Sequence, residues 1–316
     1  MSKQFAFVFP GQGSQALKMM DNLADFAIIK QTFAQANSVL GIDFWAMLQE
    51  ENADNINQTL NTQPLLLTAS YATYLLWLEQ SSGKLPNVVA GHSLGEYSAL
   101  VASGVIDFAS ALHLVRKRAE YMQQAVASDQ GAMAAVVGLA DAQVIASCAE
   151  VMGENLGVVQ AVNFNSPGQV VIAGDKLAVA KASEVLKANG ARKIVPLAVS
   201  VPSHCDLMRP AAEKLAMELA QIEFKAPQIP VLQNVNGQIS NDGAQLKQGL
   251  IQQLYLPVLW TQSVEKLASS QIDIIVECGP GKVLSGLNKR IHAQASLFNL
   301  HKVEDFSNLH SALSAE

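Results

Sequence analysis

The feature that most constrains this chain is the apolar run Val88-Val89-Ala90, which ends at Gly91 and gives way to His92-Ser93-Leu94-Gly95. An Ala/Leu-containing stretch of helical character follows. Gly-x-Ser-x-Gly in this setting predicts a strand that turns directly into a helix, with Ser93 on the bend. So sharp a turn forces its central residue into a strained backbone conformation, and only neighbours without a Cβ leave room for it. The hydroxyl is then held at the strand's carboxyl end, at the mouth of a helix N-terminus. Free backbone N–H groups and the helix dipole can stabilise an oxyanion there. A chance Gly/Ser turn is the competing reading, and the flanking strand and helix patterns weigh against it. Ser93 is the candidate nucleophile.

An activated serine needs a base, a second oxyanion donor and something that selects its substrate. Phe5 to Phe9 reads as a buried strand that breaks at Pro10-Gly11-Gln12-Gly13. The spacing Gly11-x-Gly13-x-x-Ala16 formally satisfies a dinucleotide fingerprint, but no second strand ending in an acidic residue follows at the required distance. A glycine-rich turn in this position can instead present Gln12 to a neighbouring site, as the second oxyanion loop does in hydrolase-like sheets. Thr62-Gln63-Pro64 reads as the start of a buried helix, and Asp107 as the N-cap of a helix reaching Ala125. On that second helix Ala111, Leu114, Val115 and Met122 form an apolar stripe. Arg118 falls in the same stripe, whereas Arg116 and Lys117 turn away. An inward arginine keeps its charge and needs an anion, supplied either by a buried carboxylate of the protein or by a substrate carboxylate.

From Gly131 the rhythm becomes strand (Met133 to Val137), helix (Asp141 to Met152), two strands (Val158 to Val162, Val170 to Ala173), helix (Lys176 to Asn189) and strand (Lys193 to Val199). The order β-α-β-β-α-β is that of a ferredoxin-like unit. The predicted fold is α/β: a hydrolase-like parallel-sheet main domain (1–126 and 200–316) with an inserted ferredoxin-like small domain (127–199). His204 follows the junction, before a helix over about Pro210 to Ile222. It is favoured as the base over His113, which lies within a helix, and over His92, which adjoins the nucleophile and is poorly oriented to face it. Ile229 to Val235 and Ile272 to Val276 read as further strands, and the tail after Asp305 as helix.

Composition narrows the function. Half of the 316 residues are hydrophobic, 15% are charged and the net charge is −6, with no Lys/Arg-dense block. Nucleic acid is therefore an unexpected partner. Met1-Ser2-Lys3-Gln4 opens no secretory signal, and no apolar stretch is long enough for a bilayer, so no membrane association is expected. Three widely spaced cysteines fit reduced thiols in a cytoplasmic protein. Six histidines without ligand spacing, and no CxxC, predict no metal site, and no cofactor is expected.

Five motifs then fall in order: Phe9-Pro10-Gly11-Gln12-Gly13-Ser14-Gln15, Gly91-His92-Ser93-Leu94-Gly95-Glu96-Tyr97, Asn163-Phe164-Asn165-Ser166-Pro167-Gly168-Gln169, Val201-Pro202-Ser203-His204 and Glu277-Cys278-Gly279-Pro280-Gly281. From about Gln4 to Arg290 the chain resembles the malonyl-CoA:acyl carrier protein transacylases, in the stand-alone form of dissociated bacterial fatty-acid synthesis. The resemblance implies that Ser93 carries a malonyl ester and that His204 is its general base. It further implies that the Leu94 and Gln12 N–H groups form the oxyanion hole, that Arg118 clamps the free malonyl carboxylate, and that the Gln253 main-chain carbonyl orients His204. Malonyl-CoA and acyl carrier protein are the implied partners. Lys282, Lys289 and Arg290 are candidate contacts for an acidic carrier. An orienting carbonyl in place of an Asp predicts a site tuned to thiol–ester exchange with little leakage to water. A serine esterase or thioesterase on the same fold is the alternative, and Cys278 is expected only to pack.

Overall fold

The computed structural model describes residues 3–127, 129–198 and 201–314. Strand β1 (Phe5–Phe9) is buried along its whole length, because both of its faces are covered. Phe5, Phe7 and Phe9 enter one apolar cluster, while Ala6 and Val8 enter another on the opposite side of the sheet. This is the period-two alternation of a strand inside an α/β sandwich, where the run is apolar on both faces. The helices α1 (Ala27–Leu40), α2 (Phe44–Leu48), α3 (Asp54–Asn57) and α4 (Thr59–Gln80) follow. Trp77 and Tyr74 of α4 meet the phenylalanines of β1 edge-on.

Helix α4 begins at Thr59, not at Thr62, so Pro64 lies inside it. The proline removes the N–H that would bond the Leu60 carbonyl. That carbonyl accepts instead from the half-buried Arg116, whose Nη1 lies at 2.7 Å. Strand β2 (Val88–Gly91) feeds α5 (Gly95–Ala102), and α6 (Phe108–Ala125) starts at Asp107, whose side chain accepts from the Ser110 N–H as foreseen.

A second unit follows: β3 (Gly131–Val137), α7 (Asp141–Gly153), β4 (Val159–Ser166), β5 (Gln169–Asp175), α8 (Lys176–Ala188) and β6 (Lys193–Pro196). Its sheet is antiparallel in the order β4-β5-β3-β6. Asn163 to Ser166 belong to β4, so only Pro167-Gly168 turn the hairpin, where the sequence reading ends one strand at Val162 and starts the next at Val170. Strand β6 stops at Pro196; Val199 and Ser200, where the sequence places the junction, lie outside the described residues. One face of this sheet packs on α7 and α8. The other turns Met133, Val171 and Leu197 toward Cys205 and the rest of the molecule.

The chain continues through α9 (Arg209–Ala220), β7 (Val231–Leu232), β8 (Ile239–Ser240), α10 (Gly243–Gln253), α11 (Trp260–Ser269), β9 (Ile274–Glu277), α12 (Val283–Ile291), β10 (Ser296–Asn299) and α13 (Val303–Ser314). The six-stranded sheet runs β10-β9-β1-β2-β7-β8, parallel except for β8. Strand β10 escapes sequence reading because Ser296-Leu297-Phe298-Asn299 has no alternation and sits at an edge. The carboxyl ends of β1 and β2, adjacent at the sheet's centre, bring Gly11-Gln12 beside His92-Ser93. Such carboxyl ends are where an open α/β sheet binds ligands. No helix among the described residues is long and apolar enough to cross a membrane.

Candidate active site

Ser93 has φ +52° and His204 φ +67°, both in the left-handed region that costs a non-glycine residue. The elbow tolerates this because its neighbours are stripped of side chains. A Cβ on Gly91 would come within 1.9 Å of the Gly95 carbonyl carbon, and one on Gly95 within 2.0 Å of the Phe9 carbonyl oxygen. Asn234, just past β7, locks the bend by accepting the Ser93 N–H at 2.7 Å and donating to the Gly91 carbonyl at 2.6 Å.

Ser93 Oγ lies 2.8 Å from His204 Nε2. His204 Nδ1 lies 2.6 Å from the Gln253 carbonyl oxygen, and the next residue's carbonyl, Leu254, accepts the His204 backbone N–H at 2.9 Å. A carbonyl can only accept, so Nδ1 carries the proton and Nε2 offers its lone pair to the serine hydroxyl. Burial, and then the charge of Arg118, push the His204 pKa down to about 3. A depressed value leaves the imidazole neutral throughout the physiological range. Its stabilising contribution is complete above about pH 6.5 and is lost as the pH falls from there toward 3. A histidine NMR titration is expected to show the neutral Nδ1–H tautomer unchanged from pH 8 to pH 5; a midpoint near 6.5 for His204 contradicts this assignment.

Arg118 is 2% exposed. Its Nη1 donates to Gln63 Oε1 at 2.8 Å; Nη2 donates to Gln253 Oε1 at 3.2 Å and to Ser93 Oγ at 3.3 Å. The guanidinium sits 5.5 Å from the Tyr97 ring centroid, and its buried Nε has no partner among the described residues. No carboxylate of the described residues forms an ion pair with it. Of the two readings open to an inward arginine, the internal salt bridge is therefore the one the geometry disfavours.

A cavity of about 100 Å³ opens onto Ser93, His204, Arg118, Gln12 and Leu94, and is closed from above by Met133 and Leu197 of the second unit. An adjoining cleft of about 240 Å³ continues past Gln12, His92 and Asn165 to Leu284 and Leu287 of α12. A larger cleft of about 610 Å³, near Tyr71 and Asp107, is lined by no histidine or cysteine, and its one hydroxyl–carboxylate pair, Ser110 with Asp107, caps α6. The Gln12 and Leu94 backbone N–H groups donate to no acceptor among the described residues. His92 is turned from the serine, with Nε2 at 2.8 Å from Asn165 Oδ1. His113 is exposed on α6, and Cys278 is buried against Ser70, as expected of a side chain that only packs.

Of the site residues named from the sequence, Gln12, Ser93, Leu94, Arg118 and His204 line one cavity, and Gln253 stands behind it, bonded to His204 and Arg118. Sequence reasoning missed Gln63, Glu96, Asn165 and Asn234. Only Asn234 left an independent signal, a polar residue ending an apolar strand.

The acyl transferase domain family matches residues 6–299. The malonyl CoA-acyl carrier protein transacylase of Escherichia coli K12 is 54% identical over 91% of this chain and 93% of its own length. The chain belongs to the malonyl CoA-acyl carrier protein transacylase family. A transacylase of that name from Bacillus subtilis is 43% identical over 92% of the chain and 91% of its own length. Among solved structures, an acyl carrier protein S-malonyltransferase from Vibrio cholerae superposes with a TM-score of 0.93 at 50% identity, covering 97% of this chain and 100% of that one. A type II PKS acyl-carrier protein in complex with its malonyl-transacylase contains a chain at TM-score 0.95 and 48% identity, covering 98% of this chain and 100% of that one. The transacylase family thus supplies relatives that match nearly end to end.

Proposed function

We propose that the chain transfers a malonyl group from CoA to the phosphopantetheine thiol of acyl carrier protein, by way of an ester on Ser93, and so feeds fatty-acid chain elongation. The observation that carries this reading is a histidine 2.8 Å from the serine hydroxyl, with an arginine that forms no ion pair among the described residues 3.3 Å from the same oxygen. His204 Nε2 takes the Ser93 proton as Oγ attacks the thioester carbonyl. The resulting oxyanion is held by the Leu94 and Gln12 N–H groups. Collapse expels the CoA thiolate, which recovers the proton from the imidazolium. In the second half-reaction the carrier thiol gives its proton to Nε2, its sulfur attacks the ester, and Ser93 leaves with that proton. Arg118 pairs with the malonyl carboxylate throughout, which separates malonyl transfer from general acyl transfer.

The Gln253 carbonyl fixes the histidine tautomer but lends the imidazolium no compensating charge. Ser93 is held in hydrogen-bond contact with this base and a thiol of pKa about 8.5 gives up its proton readily, whereas a free water, at about 15.7, has neither advantage. This is the physical argument for transfer over the esterase alternative. The cleft leading outward ends at α12, where Lys282, Lys289 and Arg290 are exposed and available to an acidic carrier. The same reading assigns the parallel sheet and its helices to a hydrolase-like main domain (1–126 and 200–316), and the β-α-β-β-α-β unit to a ferredoxin-like insert (127–199) that roofs the site. Intact-protein mass spectrometry is the test. Incubation with malonyl-CoA is expected to add one malonyl group that persists without carrier protein, and acetyl-CoA to add far less. Rapid release of free malonate would favour the esterase.

A further inference from the structure

The mechanism leaves one buried carboxylate unused. Glu96, in the first turn of α5, is 1% exposed and lies directly behind the elbow. Its Oε2 accepts from Gln253 Nε2 at 2.7 Å and from the Asn234 backbone N–H at 3.2 Å. Gln253 Nε2 donates in addition to the Ser93 carbonyl at 3.0 Å, so both amide protons are engaged and Oε1 is left to accept from Arg118. A closed ring results: Ser93 to Asn234, Asn234 to Glu96, Glu96 to Gln253, Gln253 to Arg118, and Arg118 back to Ser93.

We infer that Glu96 is a positioning residue for the malonyl clamp: by accepting from the Gln253 amide it turns Gln253 Oε1 toward Arg118 and so holds the guanidinium beside Ser93. The opposite amide orientation would set two donors, NH2 and guanidinium, face to face. It would also crowd Oε1 against the Glu96 carboxylate and the Ser93 carbonyl, and buried polar groups do not tolerate such mismatches. The base is insulated from this effect. His204 is oriented by the backbone carbonyl of Gln253, which α10 and the bond from the His204 N–H to the Leu254 carbonyl hold regardless of how the side-chain amide is turned. Glu96 therefore bears on which acyl group is chosen more than on whether Ser93 reacts. Burial raises the Glu96 carboxyl to about 7, and the Gln253 and Asn234 bonds and the Arg118 charge oppose that rise. Oxygen Oε2 can accept in either protonation state, so the positioning survives across this range.

The inference rests on the assignment of Arg118 as the malonyl clamp, and the test separates the two. Second-order acylation rates of Ser93 with malonyl-CoA and acetyl-CoA are compared for the wild type, Arg118→Ala, Glu96→Ala, Glu96→Asp and Glu96→Gln. Glu96→Ala and the shortened Glu96→Asp are expected to lower the malonyl rate by about 10- to 100-fold, the range for losing a hydrogen bond to a charged group, and the acetyl rate by less than about 3-fold. Glu96→Gln supplies an amide oxygen in the same place and is expected to restore malonylation to within about 3-fold of wild type. Equal loss of both rates in Glu96→Ala or Glu96→Asp, no loss in either, or a Glu96→Gln variant as impaired as Glu96→Asp overturns the inference. If Arg118→Ala shows no malonyl-specific defect, the clamp assignment fails and the role of Glu96 falls with it.

Discussion

Replacing Ser93 with alanine is expected to remove the malonyl adduct from the intact-protein mass spectrum and to lower transfer by about 10⁵-fold or more, the scale on which loss of a catalytic serine nucleophile acts. Among the described residues, this hydroxyl is the group that both the imidazole of His204 and the guanidinium of Arg118 reach, at 2.8 and 3.3 Å. Without it there is no atom to carry the acyl group between the two half-reactions, and direct attack would require the acyl-CoA thioester and the carrier thiol together at one small cavity. The effect is separable from folding. Serine and alanine bear the same Cβ at φ +52°, so the strain of the bend is unchanged, and the Ser93 N–H keeps its bond to Asn234. Thermal unfolding is expected to shift by no more than about 1 kcal/mol. A Ser93→Ala protein that still becomes malonylated would remove the elbow from the mechanism.

Arg118→Ala is expected to lower malonyl transfer by about 10²- to 10³-fold, within the ~2–5 kcal/mol typical of truncating one partner of a buried charge pair. Acetyl transfer should fall by less than about 10-fold, because its methyl group makes no ion pair. The asymmetry follows from what surrounds the guanidinium. Two glutamine oxygens, a serine hydroxyl and an aromatic face accommodate it, and the described residues supply no carboxylate for an ion pair. An isolated buried cation is costly, and the substrate's own carboxylate offsets that cost only when the correct acid is bound. Kinetics with both acyl-CoA thioesters decide the matter: equal losses would make Arg118 a structural residue.

Legibility from sequence varied with how local each cause is. The elbow was readable because a strand, a bend and a helix are adjacent in the chain, and a Cβ on Gly91 or Gly95 would overlap backbone. Arg118 was readable because helical spacing sets which face a residue occupies. The extent of α4 was not, since Pro64 ordinarily ends or starts a helix. The carbonyl it orphans is rescued by Arg116, 52 positions beyond the proline in the numbering and adjacent only in space. Strands β7 and β10 were misjudged or missed because edge and near-edge pairing is decided by what lies alongside, not by apolar pattern.

The sequence by itself determined the strand–bend–helix that carries Ser93, the α/β class, the strand–helix order of the second unit and, through five motifs in order, the family. Tertiary structure alone decided which way the Gln253 amide faces, that the carbonyls of Gln253 and Leu254 grip one histidine from both its ring and its backbone, and that Arg118 forms no ion pair among the described residues. The reason is physical. A side chain's helix face or strand parity is fixed within a few residues of chain. Its hydrogen-bond partners in a low-dielectric cavity are fixed by whatever distant segments fold against it, and those partners set a buried group's charge and reactivity.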